Sequence, residues 1–317
     1  MPKAIVCTPH DARINKHRKD YLTAVHHSMD YPFQSEDGRD ASPMHQQLET
    51  TCKRFNPIKY WQFTNCCTDS LQIAFHILCK PGDTVIVPAY GWRAITNAPQ
   101  FVGLHVIYCD IDDTGNIDLN QLQHLIIEHK PTAVLIVHNF GTIVDISKIA
   151  DICLVNNVSI IEDAAPSFVM NESYKYKLGS YSDIVCFSFD FTKSPGCLGA
   201  GGGLATNSEE LSNKIKTVGS HITSTHGIGT KSYLDTIAAG VLNTDIKLIE
   251  QNNYRQHRVN IATYYINNLP YKTLSGENYI FHRFIILTDR DKKQAVIEKF
   301  KSQKILAKSV FDPNISI

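Results

Sequence analysis

The amino-acid sequence predicts an α/β domain with a doubly wound, mostly parallel sheet, followed by a smaller α+β domain. Short apolar runs alternate with helical stretches over residues 41–240, and a long polar helical pattern begins near residue 245. The chain of 317 residues is long enough for one large and one smaller domain. We therefore predict an N-terminal segment (1–40) without assigned structure, a large domain (41–240) and a small C-terminal domain (241–317).

Five short runs in the middle of the chain are predicted to be buried strands. Each is rich in β-branched residues and almost free of polar ones, as expected for parallel strands covered by helices on both faces. They are residues 84–88, 105–109, 133–138, 159–162 and 184–189, with helical stretches at 71–79, 119–128 and 146–156. The carboxyl ends of such strands form the edge at which α/β sheets bind ligands.

The last part of the chain has a different pattern. Residues 245–269 are rich in Asn, Gln, Arg and Tyr and are predicted to form one long helix. A strand at 279–287 and a helix at 292–303 are predicted to follow, which gives the smaller α+β domain.

Composition narrows the classes of function. Lys and Arg total 31, as do Asp and Glu, so the net charge of zero does not favour a nucleic-acid or anionic-membrane surface. The sequence shows no signal-peptide pattern and no apolar run long enough to span a bilayer. Nine cysteines, an odd number and mostly within apolar runs, suit reduced thiols in the cytoplasm. Cys66 and Cys67 have no second Cys/His pair at ligand spacing, so no metal site is predicted.

The first motif lies at the end of a predicted strand. Within residues 160–165, two isoleucines are followed by the acidic pair Glu162 and Asp163 and then by two alanines. An aspartate at this edge can hold a pyridine ring nitrogen in its protonated form, which makes the ring an electron sink. The alternative is an aspartate that caps the N-terminus of a helix.

The second motif is Lys193, just beyond a buried strand and beside a glycine-rich turn at 199–203. Lysine is rarely buried without a partner, and a Schiff base would remove its charge. Ser188, on the preceding strand, can donate its hydroxyl to a phosphate, and the glycines allow close backbone approach. The alternative is a surface lysine whose stem lies along apolar surface.

The third motif is the small polar stretch 64–70, which opens the predicted helix 71–79. Free backbone N–H groups and the helix dipole at such a start attract a phosphate. Simple N-capping by Thr68 or Asp69 would explain the same residues.

The fourth motif is an aromatic residue in the loop after a strand. Trp92 is positioned to stack on a pyridine ring, although a core role would be equally typical of an aromatic there.

With these four motifs in this order, the chain resembles the DegT/DnrJ/EryC1/StrS family of sugar aminotransferases that depend on pyridoxal 5′-phosphate (PLP). The resemblance runs from about Gln47 to Leu269. Supporting stretches are 81–88, 110–118, 137–141 and 229–235. It implies fold type I, in which helices sandwich a mixed, mostly parallel sheet, and a small α+β domain follows. It also implies that this second domain is shortened, because the family usually continues well beyond a point like Asp312.

The resemblance also implies roles for individual residues. Lys193 would carry PLP as a Schiff base and move protons, and Asp163 would pair with the pyridinium nitrogen. The remaining residues implied to bind the cofactor are Thr68, Asp69 and Ser188 at the phosphate, Trp92 on the ring, Cys67 in place of a common glycine, and Lys231 in place of a partner subunit's asparagine.

The implied reaction moves an amino group from L-glutamate to a nucleotide-linked keto-deoxyhexose, for the synthesis of deoxyamino sugars of a surface polysaccharide or glycan. The implied assembly is a homodimer in which 229–233 reaches into the partner's active site. Two alternatives stay open. One is a PLP-binding protein with degraded or regulatory function, because Pro166 and Ala200 depart from the family pattern. The other is a PLP-dependent sugar dehydratase, although those relatives place histidine at the position of Lys193.

Overall fold

A computed structural model describes residues 9–31, 42–168, 176–219, 229–274 and 279–309. Its centre is a seven-stranded sheet in the order β1-β7-β6-β5-β4-β2-β3. The strands are β1 (Tyr60–Thr64), β2 (Thr84–Pro88), β3 (His105–Cys109), β4 (Ala133–Val137), β5 (Ser159–Asp163), β6 (Ile184–Ser188) and β7 (Gly202–Thr206). Only β7 runs against the others, so the predicted mixed, mostly parallel sheet is confirmed.

Helices cover the sheet and account for most of the remaining described chain. They are α1 (Pro9–Lys16), α2 (Arg18–Met29), α3 (Pro43–Phe55), α4 (Cys67–Leu78), α5 (Ala94–Phe101), α6 (Leu119–His129), α7 (Ser147–Val155), α8 (Glu209–Gly219), α9 (Thr236–Gln251), α10 (Tyr254–Asn268) and α11 (Lys293–Ser302). A small sheet pairs β8 (Lys272–Thr273) with β9 (Ile286–Leu287). No helix of the described segments is long and apolar enough to cross a bilayer.

The central strands are buried on both faces, which explains their continuous apolar sequences. Val134 and Ile136 of β4 belong to one core cluster, whereas Ala133, Leu135 and Val137 belong to the other. This alternation follows from the two-residue period of a strand. Packing in the two cores fixes the position of each central strand, and therefore the positions of the residues that follow β4, β5 and β6.

Two strands of the sheet, β1 and β7, are absent from the sequence-based prediction. The stretch 199–203 was expected to be a turn, but Gly202 and Gly203 begin β7. A Cβ on Gly202 would lie 2.3 Å from the backbone carbon of Cys66, so this position tolerates only glycine. The glycines therefore serve close packing of a strand against the start of α4, rather than a flexible turn.

The predicted long helix 245–269 is wrong, because the structure contains two helices there. Helix α9 ends at Gln251 and α10 begins at Tyr254, with Asn253 in the left-handed region at φ 50°. Asparagine tolerates this conformation better than most residues, so the polar composition that suggested a continuous helix also permits the break. Helix α9 also spans residue 240, at which the predicted domain boundary lies; the division into domains stays a prediction.

The predicted strand 279–287 is also mostly wrong. Only Ile286 and Leu287 form a strand, and Tyr279 makes an isolated bridge to Thr142. Phe281 has φ 50°, which a continuous strand cannot accommodate. The structure also finds two helices, α1 and α2, within the N-terminal segment that carried no assignment. Tyr21 of α2 packs in a cluster with Val241 and Leu248 of α9.

Candidate active site

Three of the predicted site residues meet at the carboxyl edge of the sheet. Asp163 ends β5, Cys67 begins α4, and Lys193 lies in the connection from β6 to β7. The Cys67 thiol donates to Asp163 Oδ1 across 3.9 Å, and the charges of Asp163 and Lys193 act on each other. The sheet thus gathers groups that are far apart in sequence.

The environment of Asp163 is short of positive charge. The residue is 5% exposed, and burial raises the pKa of its carboxyl group. The backbone N–H of Ala165, 2.8 Å from Oδ1, and the charge of Lys193 act in the opposite direction. A buried carboxylate of this kind gains stability from a cation placed against it.

Burial also acts on the amine of Lys193 and lowers its pKa. Asp163 and Cys67 act against this effect, whereas the positive charge of Arg283 adds to it. A lowered pKa increases the neutral fraction of the amine, the form that attacks a carbonyl carbon.

The neighbouring carboxylate, Glu162, lies in a closed network. His138 Nδ1 accepts from the backbone N–H of Val144 at 3.1 Å, which leaves Nε2–H to donate to Glu162 Oε2 at 2.8 Å. Three further donors complete the carboxylate: the Gly179 N–H and the Ser182 hydroxyl to Oε1, and the Tyr176 hydroxyl to Oε2. Both Glu162 and His138 are fully buried, so this hydrogen-bond network stabilises the end of β5.

The N-terminus of α4 forms the second part of the site. The helix begins at Cys67, earlier than the predicted residue 71, and its N-cap residue is Cys66 without a side-chain cap. Thr68 and Asp69 therefore lie inside the first turn, and the alternative in which either one caps the helix is wrong. Gly202 packs against Cys66, and its register partner in the sheet is Ser188. The Ser188 hydroxyl and the start of α4 thus lie at the same edge, where backbone N–H groups and the dipole suit an anion.

Asp69 connects this helix start to the segment before α9. Its Oδ2 accepts from the Ser232 hydroxyl at 2.6 Å, and its Oδ1 accepts from the Cys66 thiol at 3.3 Å. The Ser232 hydroxyl also accepts from the backbone N–H of Asn65. The carboxylate of Asp69 therefore orders the loop that precedes α4.

Two predicted residues lie outside this cluster of contacts. Trp92 is 66% exposed in the loop after β2. Lys231 is exposed, and its Nζ lies 5.4 Å from the ring centroid of Tyr233. Neither residue takes part in the hydrogen bonds and charge interactions described above for Asp163 and Lys193.

A group of cations near Lys193 was missed by the sequence analysis. The positive charges of Lys193, Arg258 and Arg283 all lower the pKa of His282, in addition to burial. Arg258 is flanked in turn by the charges of Arg13 and Arg255. Residues 281–283 were assigned to a strand, and no periodicity would have indicated that they face the lysine; the adjacent His282 and Arg283 were the one available signal.

The residues present fit PLP. The cofactor has an aldehyde, a pyridine nitrogen and a phosphate, and the site offers an amine, a buried carboxylate and a helix N-terminus with a serine hydroxyl. The strongest single observation is the buried carboxylate of Asp163 at the end of β5, whose named donors are one backbone N–H and one thiol, because a protonated ring nitrogen would be a suitable further partner. At Gly202 the backbone of β7 packs directly against the start of α4, where a Cβ would lie 2.3 Å from the backbone carbon of Cys66.

Fold and site together define a PLP-dependent transferase of fold type I. The structure superposes on the crystal structure of ntda from Bacillus subtilis with bound cofactor PMP, with a TM-score of 0.80 and 26% sequence identity. That match covers 93% of this chain and 69% of the other. More particularly, the chain belongs to the DegT/DnrJ/EryC1/StrS aminotransferase family, whose model matches residues 24–316. The family, the fold class and the cofactor predicted from sequence are confirmed.

Two curated relatives show the range of the family. The chain is 33% identical over 212 residues to UDP-2-acetamido-2-deoxy-3-oxo-D-glucuronate aminotransferase of Pseudomonas aeruginosa, which covers 65% of this chain and 58% of that protein. It is 29% identical to the pleiotropic regulatory protein of Geobacillus stearothermophilus, over 78% of this chain and 68% of that one. The chain thus spans less than two thirds of the length of the Pseudomonas relative.

Proposed function

We propose that this protein is a sugar aminotransferase that uses PLP held covalently by Lys193 to move an amino group from L-glutamate to a nucleotide-linked keto sugar. The observation that carries the proposal is the placement of the partly buried Lys193, just beyond β6, at the same sheet edge as the buried carboxylate of Asp163, with which its charge interacts. Bound PLP supplies an electron sink for the carbon next to the transferred nitrogen.

In this proposal Lys193 has two tasks. Its neutral amine, favoured by burial and by Arg283, would hold the cofactor covalently through the cofactor's aldehyde group. The same amine would also serve as the base that moves a proton at the substrate carbon. The related dehydratases have histidine, which has no amine to hold the cofactor, at the position of Lys193. The presence of Lys193 therefore argues against that alternative.

We assign Asp163 to the ring nitrogen and the start of α4 to the phosphate. Asp163 has only one N–H and one thiol as recorded donors, which leaves acceptor capacity for an N–H of the ring. Thr68, Asp69 and Cys67 would serve the phosphate through backbone N–H groups, with the Thr68 and Ser188 hydroxyls beside them. The Asp69 carboxylate would repel a phosphate, and its bonds to Ser232 and Cys66 give it a separate structural role.

The exposed residues complete the proposal in a homodimer. Trp92 would stack on one face of the ring, which would cover an indole that is 66% exposed in the single chain. The partner subunit's Lys231 would add a positive charge near the phosphate. Cytoplasmic location is part of the proposal, supported by the eight cysteines of the described segments, all of them free thiols.

The proposed substrates carry negative charge, and the site holds positive charge for them. The positive charges of Arg258 and Arg283 lie near enough to Lys193 and His282 that both arginines, like Lys193, lower the pKa of His282. L-Glutamate has two carboxylates and a nucleotide-linked sugar has a diphosphate, both of which Arg binds well. The Pseudomonas relative is named for a UDP-linked 3-oxo sugar, and this supports the same substrate class here.

A spectroscopic experiment tests the proposal. Purified protein loaded with PLP is expected to show a visible absorbance band that Lys193→Ala abolishes and the control Lys301→Ala, at an exposed lysine, retains. L-Glutamate should bleach this band, and a UDP-linked 3-oxo sugar should restore it with formation of an amino sugar. A protein that binds PLP and ignores glutamate would instead support a regulatory function, the second candidate favoured by the Geobacillus relative.

A further inference from the structure

We propose that Arg13 and Asp245 are positioning residues for Lys193, and that they hold the lysine turn from behind through its backbone. The inference rests on the proposed function in one respect, namely that Lys193 is the reacting lysine. Neither side chain belongs to the motifs considered above. Both are buried, with 5% of the Arg13 side chain and none of the Asp245 side chain exposed.

Asp245 is the centre of the arrangement. Its Oδ1 accepts from Arg13 Nε at 2.9 Å and from the Tyr21 hydroxyl. Its Oδ2 accepts from Arg13 Nη2 at 2.9 Å and from the backbone N–H of Gly196 at 2.9 Å. One carboxylate of α9 is therefore bonded both to a bidentate arginine and to the turn that carries Lys193.

Arg13 makes the second set of contacts to the turn. Its Nη1 donates to Ser194 Oγ at 3.2 Å, and its Nη2 lies 3.5 Å from the carbonyl oxygen of Lys193. The guanidinium thus contacts the turn at two consecutive residues, Lys193 and Ser194. Arginine suits this task because its planar fork can serve a carboxylate, a hydroxyl and a carbonyl at once.

The turn itself is too tight to absorb a displacement locally. Lys193 N–H donates to the Asp190 carbonyl at 2.8 Å, and a Cβ on Gly196 would lie 2.6 Å from that same oxygen. The Asp190 side chain also holds the N–H and hydroxyl of Thr192. Because these hydrogen bonds and close contacts connect residues 190–196, we expect a shift at Gly196 or Ser194 to displace Lys193 as well.

Arg13 lies before the region that the family model matches. That match begins at residue 24, after α1 and the first half of α2. The arginine therefore comes from a helix outside the matched region and packs onto the lysine turn inside it. We infer that α1 contributes to the site without touching substrate or cofactor.

The test measures Lys193 directly in protein without cofactor. Acetic anhydride at fixed pH labels lysines, and peptide mass spectrometry gives the labelling rate of Lys193 relative to exposed Lys301. We expect Asp245→Asn and Arg13→Met to change this ratio severalfold. In the PLP-loaded protein the same variants should shift the visible band and lower kcat by about 10- to 100-fold, with a smaller change in KM.

The matched control separates positioning from stability. Leu248→Ala opens the packing of Tyr21 and α9 without touching the turn, and should lower Tm while the Lys193 labelling ratio stays at the wild-type value. If Asp245→Asn fails to fold, Ser194→Ala decides, because it removes only the contact at 3.2 Å and should still change the ratio. The proposal is overturned if Leu248→Ala changes the Lys193 labelling ratio as much as Asp245→Asn and Arg13→Met do. It is also overturned if Ser194→Ala and Arg13→Met leave that ratio unchanged. A wild-type protein without the visible band would refute the proposed function, and the labelling ratio would still report on positioning.

Discussion

The two carboxylates at the end of β5 are neighbours in sequence but differ in their surroundings. Glu162 is fully buried and accepts from four donors, those of His138, Gly179, Ser182 and Tyr176. Asp163, on the opposite face of the strand, has the N–H of Ala165 and a distant thiol. The difference shows that one carboxylate is complete within the protein, whereas the other keeps acceptor capacity for a ligand. Stability and function are thus separated across a single peptide bond.

The largest expected effect on stability comes from removal of the Glu162 carboxylate, whose hydrogen bonds are all made within the protein. Glu162→Ala should lower the free energy of unfolding by about 3–5 kcal/mol, because four buried donors lose their acceptor at once. Chemical denaturation of the cofactor-free protein measures this change. Asp163→Ala is the matched variant, and a loss of stability equal to that of Glu162→Ala would contradict the distinction.

Asp163→Asn should show the opposite profile. We expect the fold to be retained and kcat to fall by about 100-fold or more, because an amide cannot stabilise a protonated ring nitrogen. Steady-state kinetics with saturating PLP, together with a denaturation curve, give both quantities. Wild-type turnover in this variant would remove Asp163 from the site.

A third variant tests how closely the ligand side is packed. Gly202→Ala should cost about 1–3 kcal/mol and weaken PLP binding, because its Cβ would overlap the backbone of Cys66 and Cys67 at the start of α4. Gly199→Ala, in the same connection, has no atom within 4 Å of its Cβ and should behave like the wild type. Equal PLP affinity in the two variants would show that the approach of β7 to α4 is irrelevant to the cofactor.

The smallest expected effect sharpens the comparison on the Glu162 side. Tyr176→Phe removes one donor at 3.3 Å and keeps the ring, so the loss should be about 0.5–1.5 kcal/mol with unchanged PLP affinity. Thermal denaturation and a PLP titration distinguish this result from a functional role. A large drop in PLP affinity would mean that the two carboxylates are coupled.

The sequence was most informative where residues repeat with the period of a buried strand. β2, β4, β5 and β6 agree with the prediction to within one residue at each end, because burial on both faces requires a continuous apolar run. β3 has the predicted bounds, but the prediction that it is buried is wrong, because it lies at the sheet edge and only Cys109 is buried. β7 was missed because its glycines are needed for contact with α4, a tertiary requirement that resembles a turn in sequence. The break at Asn253 and the bend at Phe281 were missed for a similar reason, since single positive φ values leave little trace in composition.

The chemical groups of the site could be named from sequence, but their division of labour could not. Glu162 and Asp163 are both acidic and adjacent, and only the positions of Gly179, Ser182 and Tyr176 show which carboxylate is complete. Arg258 lies on α10, whose direction depends on the break after α9, and Arg283 lies in the irregular segment before β9. In the sequence, Asp245 resembles any other polar residue of a helix. Only the structure shows that it accepts hydrogen bonds from Arg13 and Gly196.

The connection from β6 to β7 also bears on the entropy of the reaction cycle. Phe189 and Phe191 donate backbone hydrogen bonds to Gly201 and Gly199, and Cys197 donates to Phe189, so the loop is cross-linked along its length. Its conformational freedom is given up when the chain folds rather than each time a substrate arrives. In the proposed function, Lys193 would then change position by rotation about its side-chain bonds, while the hydrogen-bonded backbone of the loop keeps its conformation.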